Sequence, residues 1–569
     1  MESPYRSTTM NHGCCYKKIL PFSWYKWIKQ APLPCANVSI KTSACKTTTS
    51  FLCSFKIRLE PAKKNISMNR LIFLLIVIAM AFTSVNAQRI IYSEVNREDV
   101  RQTNFEIIGR FNSNVLVYKN LRNNHAISVY DMDMKEARRL KLEYMPDRVT
   151  NVDFIAYPTY AWMIYQYQRK SIVYCMAAKI GADGNKIGEP LQMDTTDISY
   201  SSSSKLYTII SSEDKQRLMI LKVNSKNEKK YMFKTLLFDK DLNMLKISRI
   251  ILPMTDRNDI LTNFSLDNEG HLVFGRGDRT SNDQNIIKFY LVQKPAEADT
   301  FAIRQIKLEN ISLDEVMIKP DNSNGRYVLT SFYYKGKKNI IDGIFHSEWT
   351  KATDKETNNL AIPLGDDIRI DARGENNIKN AFNEYYLQNI VLRKDGGFVI
   401  TAENLYTTSR GSSNPFNRWN YFSQPYLNAT DYYYGGGGWG FPYNRWGSSV
   451  TRFNGDKVVI LSFNKNGKLQ WSNVIHKSQF DDDGEATISY LTVNTGDAVR
   501  FLYNDFEKRD PILAVQSIAP DGQIIRNPTL KNLGQGHIFL PRYGKQTGQK
   551  QVIIPCLYRS FLTFTKIDF

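Results

Sequence analysis

From Gln88 to Phe569 the sequence is a succession of short strands that return at a near-regular interval, and this recurrence restricts the fold more than any single residue does. Segments such as Val115-Leu-Val-Tyr118, Ser171-Ile-Val-Tyr-Cys-Met176, Arg217-Leu-Met-Ile-Leu-Lys-Val223, Ile286-Ile-Lys-Phe-Tyr-Leu-Val292 and Lys457-Val-Val-Ile-Leu-Ser-Phe463 are β-branched and aromatic, and Asn, Asp and Gly bound them. Between them lie Gly181-Ala-Asp-Gly184, Asp239-Lys-Asp-Leu-Asn243, Asp267-Asn-Glu-Gly270, Lys394-Asp-Gly-Gly397, Asn464-Lys-Asn-Gly467 and Pro520-Asp-Gly522. Asn-Gly and Asp-Gly supply the positive φ angles that tight hairpins demand.

Taken four at a time, the strands open units near Asn104, Asn151, Lys205, Leu261, Glu315, Tyr385, Ile488 and His537. A four-stranded unit at this spacing cannot bury its own faces, so it stacks on its neighbours around a channel. The expected fold is therefore all-β: a β-propeller of about eight blades, with seven as the alternative count. The last unit, from His537, holds only His537-Ile-Phe-Leu540, Gln551-Val-Ile-Ile554 and Phe561-Leu-Thr-Phe564. Arg89-Ile-Ile-Tyr92 is the natural fourth strand, which would close the ring with both chain ends in one blade and remove its exposed edges. Two sandwich domains and an outer-membrane barrel are the alternatives; most strands are short for a barrel, whose spans need about 10 residues.

The chain before this body reads differently. Residues 68–87 run from Met68 and Arg70 through an apolar core, Leu71 to Phe82, to Val85-Asn86-Ala87, the pattern of a cleavable signal peptide. The core falls short of the roughly 20 apolar residues a spanning helix needs. Residues 1–67 hold Cys14, Cys15, Cys35, Cys45 and Cys53 without hydrophobic periodicity or a C-x-x-C pair, which disfavours a zinc module. They read as a mis-assigned start or a disordered leader; an uncleaved anchor over 71–85 is the competing reading. Residues 88–569 are the propeller, and the product is expected to be exported, to the periplasm, the outer-membrane surface or the medium.

Charge follows the same division. The chain's net charge is +19, and residues 1–87 carry 12 Lys/Arg against Glu2 and Glu60, so the body is only +9. Its basic residues are scattered, which argues against a nucleic-acid partner and leaves an acidic surface or polyanionic glycan open. The body's cysteines, Cys175 and Cys556, read as buried and free. Gln88, not cysteine, follows Ala87, so a bacterial lipid anchor is not expected.

One interval breaks the rhythm. Residues 404–456 form an insert in the sixth unit. Within 411–449 it carries Phe416, Trp419, Tyr421, Phe422, Tyr426, Tyr432, Tyr433, Tyr434, Trp439, Phe441, Tyr443 and Trp446, four glycines at 435–438, and only Arg418, Asp431 and Arg445 as charges. Flat rings stack on sugars and peptide side chains at low entropic cost, so Trp419, Tyr432, Tyr433, Tyr434, Trp439, Phe441, Tyr443 and Trp446 are the candidate ligand-binding residues. A flap packed on its own propeller, and insertion into a membrane interface, are the other readings.

Catalytic signatures are thin. There is no G-x-S-x-G, H-E-x-x-H or P-loop, and His125, His271, His346, His476 and His537 fall on different units. Neither a catalytic residue set nor a metal or cofactor is assigned. Arg276-Gly-Asp278 reads as a chance tripeptide, and Asp481-Asp-Asp-Gly-Glu485 as a solvated turn rather than a calcium loop. In its strand turns, its leader ending in Ala-Gln and its wealth of Asn, Lys and Tyr, the body resembles uncharacterised exported β-propeller proteins common in Bacteroidota. Phe463-Asn-Lys-Asn-Gly-Lys-Leu-Gln-Trp471 is similar to one turn of quinoprotein-type repeats; it occurs once and implies a blade, without a quinone cofactor. The expectation is a non-enzymatic propeller that binds an envelope protein or glycan. The alternative is an enzyme acting on polysaccharide or peptide, its residues gathered at the channel mouth.

Overall fold

The computed structural model describes residues 89–569 apart from 199–204, 225–228, 255–257, 280–284, 337–339, 410–411, 416–451, 483–484, 508–509 and 527–535. The described chain lies within the compact unit Val85–Phe569. Residues 1–87, with the expected leader and signal peptide, fall outside it. No described helix is long and apolar enough to cross a membrane.

Eight antiparallel strand groups follow one another along the chain, each with its strands in sequence order. Blade 1 spans 103–141, blade 2 151–197, blade 3 208–253, blade 4 259–306, blade 5 317–363, blade 6 385–475, blade 7 490–526 and blade 8 537–568. A short strand, Ile311–Leu313, bridges blades 4 and 5 into one hydrogen-bonded sheet by pairing with Ile286 on one side and Tyr333 to Lys335 on the other.

Strand alternation explains why these sheets stack. In Val115-Leu-Val-Tyr118, Leu116 and Tyr118 join a core with Val152, Met163 and Tyr165 of blade 2. Val115 and Val117 point the other way, to Ile553, Leu557 and Phe564 of blade 8. Both faces of the strand are buried, so it is apolar throughout and shows no polar alternation. The same construction runs around the molecule: one core joins blades 2 and 3, and others join 3 and 4, 4 and 5, 5 and 6, 6 and 7, and 7 and 8. Eight inter-blade cores in cyclic order make a closed eight-bladed β-propeller.

The closure is made as the strand count requires. Arg89–Tyr92 pairs antiparallel with Phe561–Asp568, Arg89 opposite Asp568 and Tyr92 opposite Thr565. It becomes the outermost strand of blade 8. The following segment is also tied down: Ser93 N–H donates to Phe564 O, and Glu98, itself buried, accepts from the buried Lys119 of blade 1 at 2.8 Å.

Seven of the described hairpins share one turn geometry. In Asp239–Asn243 the Asp239 N–H donates to Asn243 O at 3.0 Å and Leu242 N–H to Asp239 O at 3.1 Å. The Asp239 carboxylate takes the N–H groups of Asp241 and Asn243. The fourth residue adopts positive φ in this turn (Leu242) and its counterparts (Met134, Gly184, Gly270, Gly396, Gly467 and Gly522). A type I turn followed by one left-handed residue is the standard three-residue hairpin, which accounts for Asp or Asn first and Gly fourth. At Gly522 space adds to conformation: φ is +89°, and a Cβ would lie 2.7 Å from the ring of Trp471. Trp471, from the quinoprotein-like passage, thus docks on the neighbouring blade, where its Nε1–H donates to Pro520 O at 3.2 Å.

Both body cysteines are buried and free. The Arg276-Gly-Asp tripeptide lies inside a strand of blade 4, with Arg276 locked on Asp259 (2.6 Å) and both charged residues buried.

Two expectations follow. Removing Arg89–Tyr92 strips the ladder and the burial of Ile90, Ile91 and Tyr92. Unfolding by urea should show a loss of at least about 3 kcal/mol, with association through the freed edge of Phe561–Asp568; unchanged stability would contradict ring closure by this strand. The core tyrosines set an alkaline limit. Burial pushes Tyr165 up to about 12 and raises Tyr118 and Tyr385 as well. Their folded pKa values exceed the unfolded 10, so this contribution is intact below pH 10 and is lost as pH rises toward 12. Tyrosinate absorbance and loss of circular dichroism should therefore rise together; ionisation without unfolding would refute the argument.

Candidate functional site

The eight aromatic residues expected to bind ligand, Trp419, Tyr432, Tyr433, Tyr434, Trp439, Phe441, Tyr443 and Trp446, lie outside the described residues. What is described is the base from which they depart. Strand Phe398–Ser409 and strand Arg452–Phe463 are the second and third strands of blade 6, and both run past the end of the first and fourth. Their pairing continues to Thr408 opposite Arg452.

Two short strands cover the flanks of this overhang. Ser412–Pro415 pairs with Tyr406 to Ser409 on one side, and Gln479–Asp481 pairs with Phe453 to Gly455 on the other. Blade 6 therefore extends as a second four-stranded sheet whose central hairpin carries the insert. Strand thus occupies 404–409, 412–415 and 452–456 of the stretch read from sequence as insert.

A buried ion pair anchors the extension. The alternation of Phe398-Val-Ile-Thr-Ala-Glu403 turns Phe398, Ile400 and Ala402 toward blade 5 and leaves Glu403 on the face toward blade 7. There Glu403 Oε1 meets Lys477 Nζ at 2.7 Å, both side chains wholly buried. The ammonium also donates to Gly455 O and to Gln479 Oε1, each at 2.7 Å, so its three protons are all used. Ser489 Oγ donates to the other carboxylate oxygen. Gln479 passes the network on to Asn504 O at 2.9 Å, and Asn504 donates to Thr487 O and Phe539 O, reaching blade 8. Burial pulls the Lys477 pKa below the usual lysine range, and the Glu403 charge opposes that pull. The described charged residues of the acidic run 481–485 are spoken for: Asp482 pairs with Arg452 (2.7 Å), Glu485 with Arg542 (2.7 Å), and Asp481 accepts from Thr487.

Sequence reasoning passed over Glu403 and Lys477. A carboxylate at a core-facing position of an otherwise apolar strand was the available signal; the partner could not be found, because Lys477 reaches it only through the fold.

The five histidines remain apart. His125 meets Tyr118 (2.6 Å), His346 meets Glu348 (3.1 Å), His476 meets Asp371 (3.0 Å), and His537 lies between the rings of Tyr92 and Tyr558. His271 belongs to the one group of described residues with metal-ligand spacing, Asp267, Glu269 and His271. That group already holds a cation: Lys351 Nζ lies 2.7 Å from Asp267 and 3.6 Å from Glu269. Ala296 N–H donates to His271 Nδ1, which puts the ring proton on Nε2, facing Glu269 at 3.1 Å. An ammonium fills the place of a cation, and no lone pair of the ring is left to bind one.

No protein-family model matches this sequence, and no curated protein does. Among solved structures, the polysaccharide lyase Uly1 aligns with 8% identity over 73% of this chain and 89% of its own, at a TM-score of 0.33. Prolyl oligopeptidase B from Galerina marginata aligns with 9% identity over 82% of this chain and 56% of its own, at 0.38. A hypothetical selenium-binding protein from Sulfolobus tokodaii aligns with 9% identity over 67% and 82%, at 0.32. At these scores the likenesses say nothing about chemistry; the fold rests on strand order and the closed series of cores.

If the ion pair anchors the extension, Lys477→Met strands a buried carboxylate and should cost about 3–5 kcal/mol. The double variant Glu403→Gln with Lys477→Met should recover a large part of that loss in urea denaturation. Equal losses for single and double variants would show that the two charges are not coupled.

Proposed function

We propose that this chain is an exported, non-enzymatic β-propeller that binds a protein partner or a glycan in the cell envelope, through the aromatic insert of blade 6. The observation that carries this reading is that, among the described residues, blade 6 extends into a second four-stranded sheet, buttressed by the Glu403–Lys477 pair, at the point where the chain enters and leaves the segment that concentrates Trp and Tyr. A rigid base lowers the entropy lost when a loop engages its partner, and the insert's near absence of charge suits stacking on sugar rings or apolar side chains. Export follows from the signal-like residues 68–87, and the body's resemblance to exported propellers of Bacteroidota fits it. The alternative, an enzyme acting on polysaccharide or peptide, needs acids, histidines and arginines meeting with free valences. The described clusters of that kind, Arg326 with Asp321, Glu348 and His346, and Asp267 with Glu269, His271 and Lys351, bond one another instead.

Pulldown from envelope extract and a glycan array should yield a partner for the chain and none for a variant lacking 411–449; equal binding by both would dismiss the insert. N-terminal sequencing of the native product should begin at Gln88; a product retaining residues 1–67 would overturn the cleaved form.

A further inference from the structure

The outer part of blade 3 holds an arrangement that folding alone does not favour. Its last three strands place Lys222 opposite Lys234 and Lys234 opposite Arg249. Direct cross-strand partners share a face, so three cations stand in a row, one strand spacing of about 4.8 Å apart. Like charges directly opposite destabilise a sheet. The row faces blade 2, where Asp194 engages Lys234 Nζ at 2.5 Å. Lys222 Nζ finds only a hydroxyl, donating to Thr196 Oγ1 at 2.8 Å. Arg249 is exposed and has no ion pair among the described residues. One carboxylate thus serves three cations.

The surroundings lean the same way. Thr196 Oγ1 meets the Tyr207 hydroxyl, whose ring lies beneath Lys222 Nζ at 5.9 Å. Lys205 on the same inter-blade face is matched by Asp153 at 3.2 Å and adds no excess. Burial lowers the Lys222 pKa; Asp194 opposes that shift, and Lys234 and Arg249 add to it.

We propose that the Lys222–Lys234–Arg249 row is a binding site for an acidic polysaccharide, its carboxylate or sulfate groups seated against Arg249 and Lys222 on either side of the Lys234–Asp194 pair. Guanidinium and ammonium bond such groups by charge-assisted hydrogen bonds. A linear row on a solid sheet fits a chain polymer with charges at intervals; because exposed Ile247 and Ile251 flank Arg249 on its own strand, anionic vesicles are the arm that separates a lipid surface from such a polymer. The site is on blade 3, not blade 6, and does not rest on the role proposed for the insert.

The test measures binding of the chain to immobilised dextran sulfate and polygalacturonate, with neutral dextran and anionic phosphatidylglycerol vesicles as separate arms. Binding to at least one acidic polymer that weakens with salt is expected, with none to dextran. Lys222→Gln with Arg249→Gln should weaken it about tenfold or more, the worth of one to two charged hydrogen bonds. Arg249→Gln alone, at an exposed position, keeps the test valid should the double variant fold poorly, and should weaken binding severalfold. Lys288→Gln, an exposed lysine on blade 4, should change nothing. Deleting 411–449 should leave this binding intact while abolishing any partner of the insert. Absence of binding to both acidic polymers, binding unchanged in the Arg249 variant, an equal loss from Lys288→Gln, or binding to vesicles only would each overturn the proposal.

Discussion

A four-stranded sheet with two apolar faces cannot stand alone, and the rest of this protein depends on that fact. Each blade satisfies one face against the blade before it and the other against the blade after it, so no blade is stable at the end of a row. Only a ring leaves no end. The strand Arg89–Tyr92 supplies the outer edge of blade 8, and Glu98 carries the join into blade 1 by pairing with Lys119, which lies over the rings of Tyr130 and Phe564. The ring is held both by hydrogen bonds along a strand and by a buried charge across a blade boundary.

The turns and the inter-blade contacts are one device. In three hairpins the left-handed residue brings the turn backbone close to its neighbour, where Gly184 meets Ile127, Val129 and Leu140, Gly467 meets Leu360 and His346, and Gly522 meets Trp471. A side chain there would hold the blades apart. Glycine is therefore required at these positions for its absent Cβ as much as for its φ.

Buried charge in the described body is mostly balanced within small closed networks. Glu403 and Lys477, Arg276 and Asp259, and Arg326 with Asp321 and Glu348 each pair their charges locally. Buried Lys294 and Arg369 are met by backbone carbonyls instead of carboxylates, whereas the cation row of blade 3 sets three positive side chains side by side on one face. The described histidines and the acids of these clusters are each turned to a structural partner.

By itself the sequence determined the class of fold, the blade count to within one, the positions of the turns and the strand that closes the ring. Those features are local: alternation, Asp/Asn-Gly punctuation and strand arithmetic are written in contiguous residues. Blade openings lie within a few residues of where strand grouping puts them, as at Asn151, Tyr385 and His537. The insert was legible as a break in rhythm, whereas the sheet beneath it was not, since Ser412–Pro415 and Gln479–Asp481 are too short to stand out and acquire strand geometry only by pairing with the overhanging hairpin. Tertiary structure alone decided which charges meet. Glu403 finds Lys477, and Lys222, Lys234 and Arg249 align, through strand register and blade packing, and no spacing along the chain encodes a distance across a sheet or between two blades.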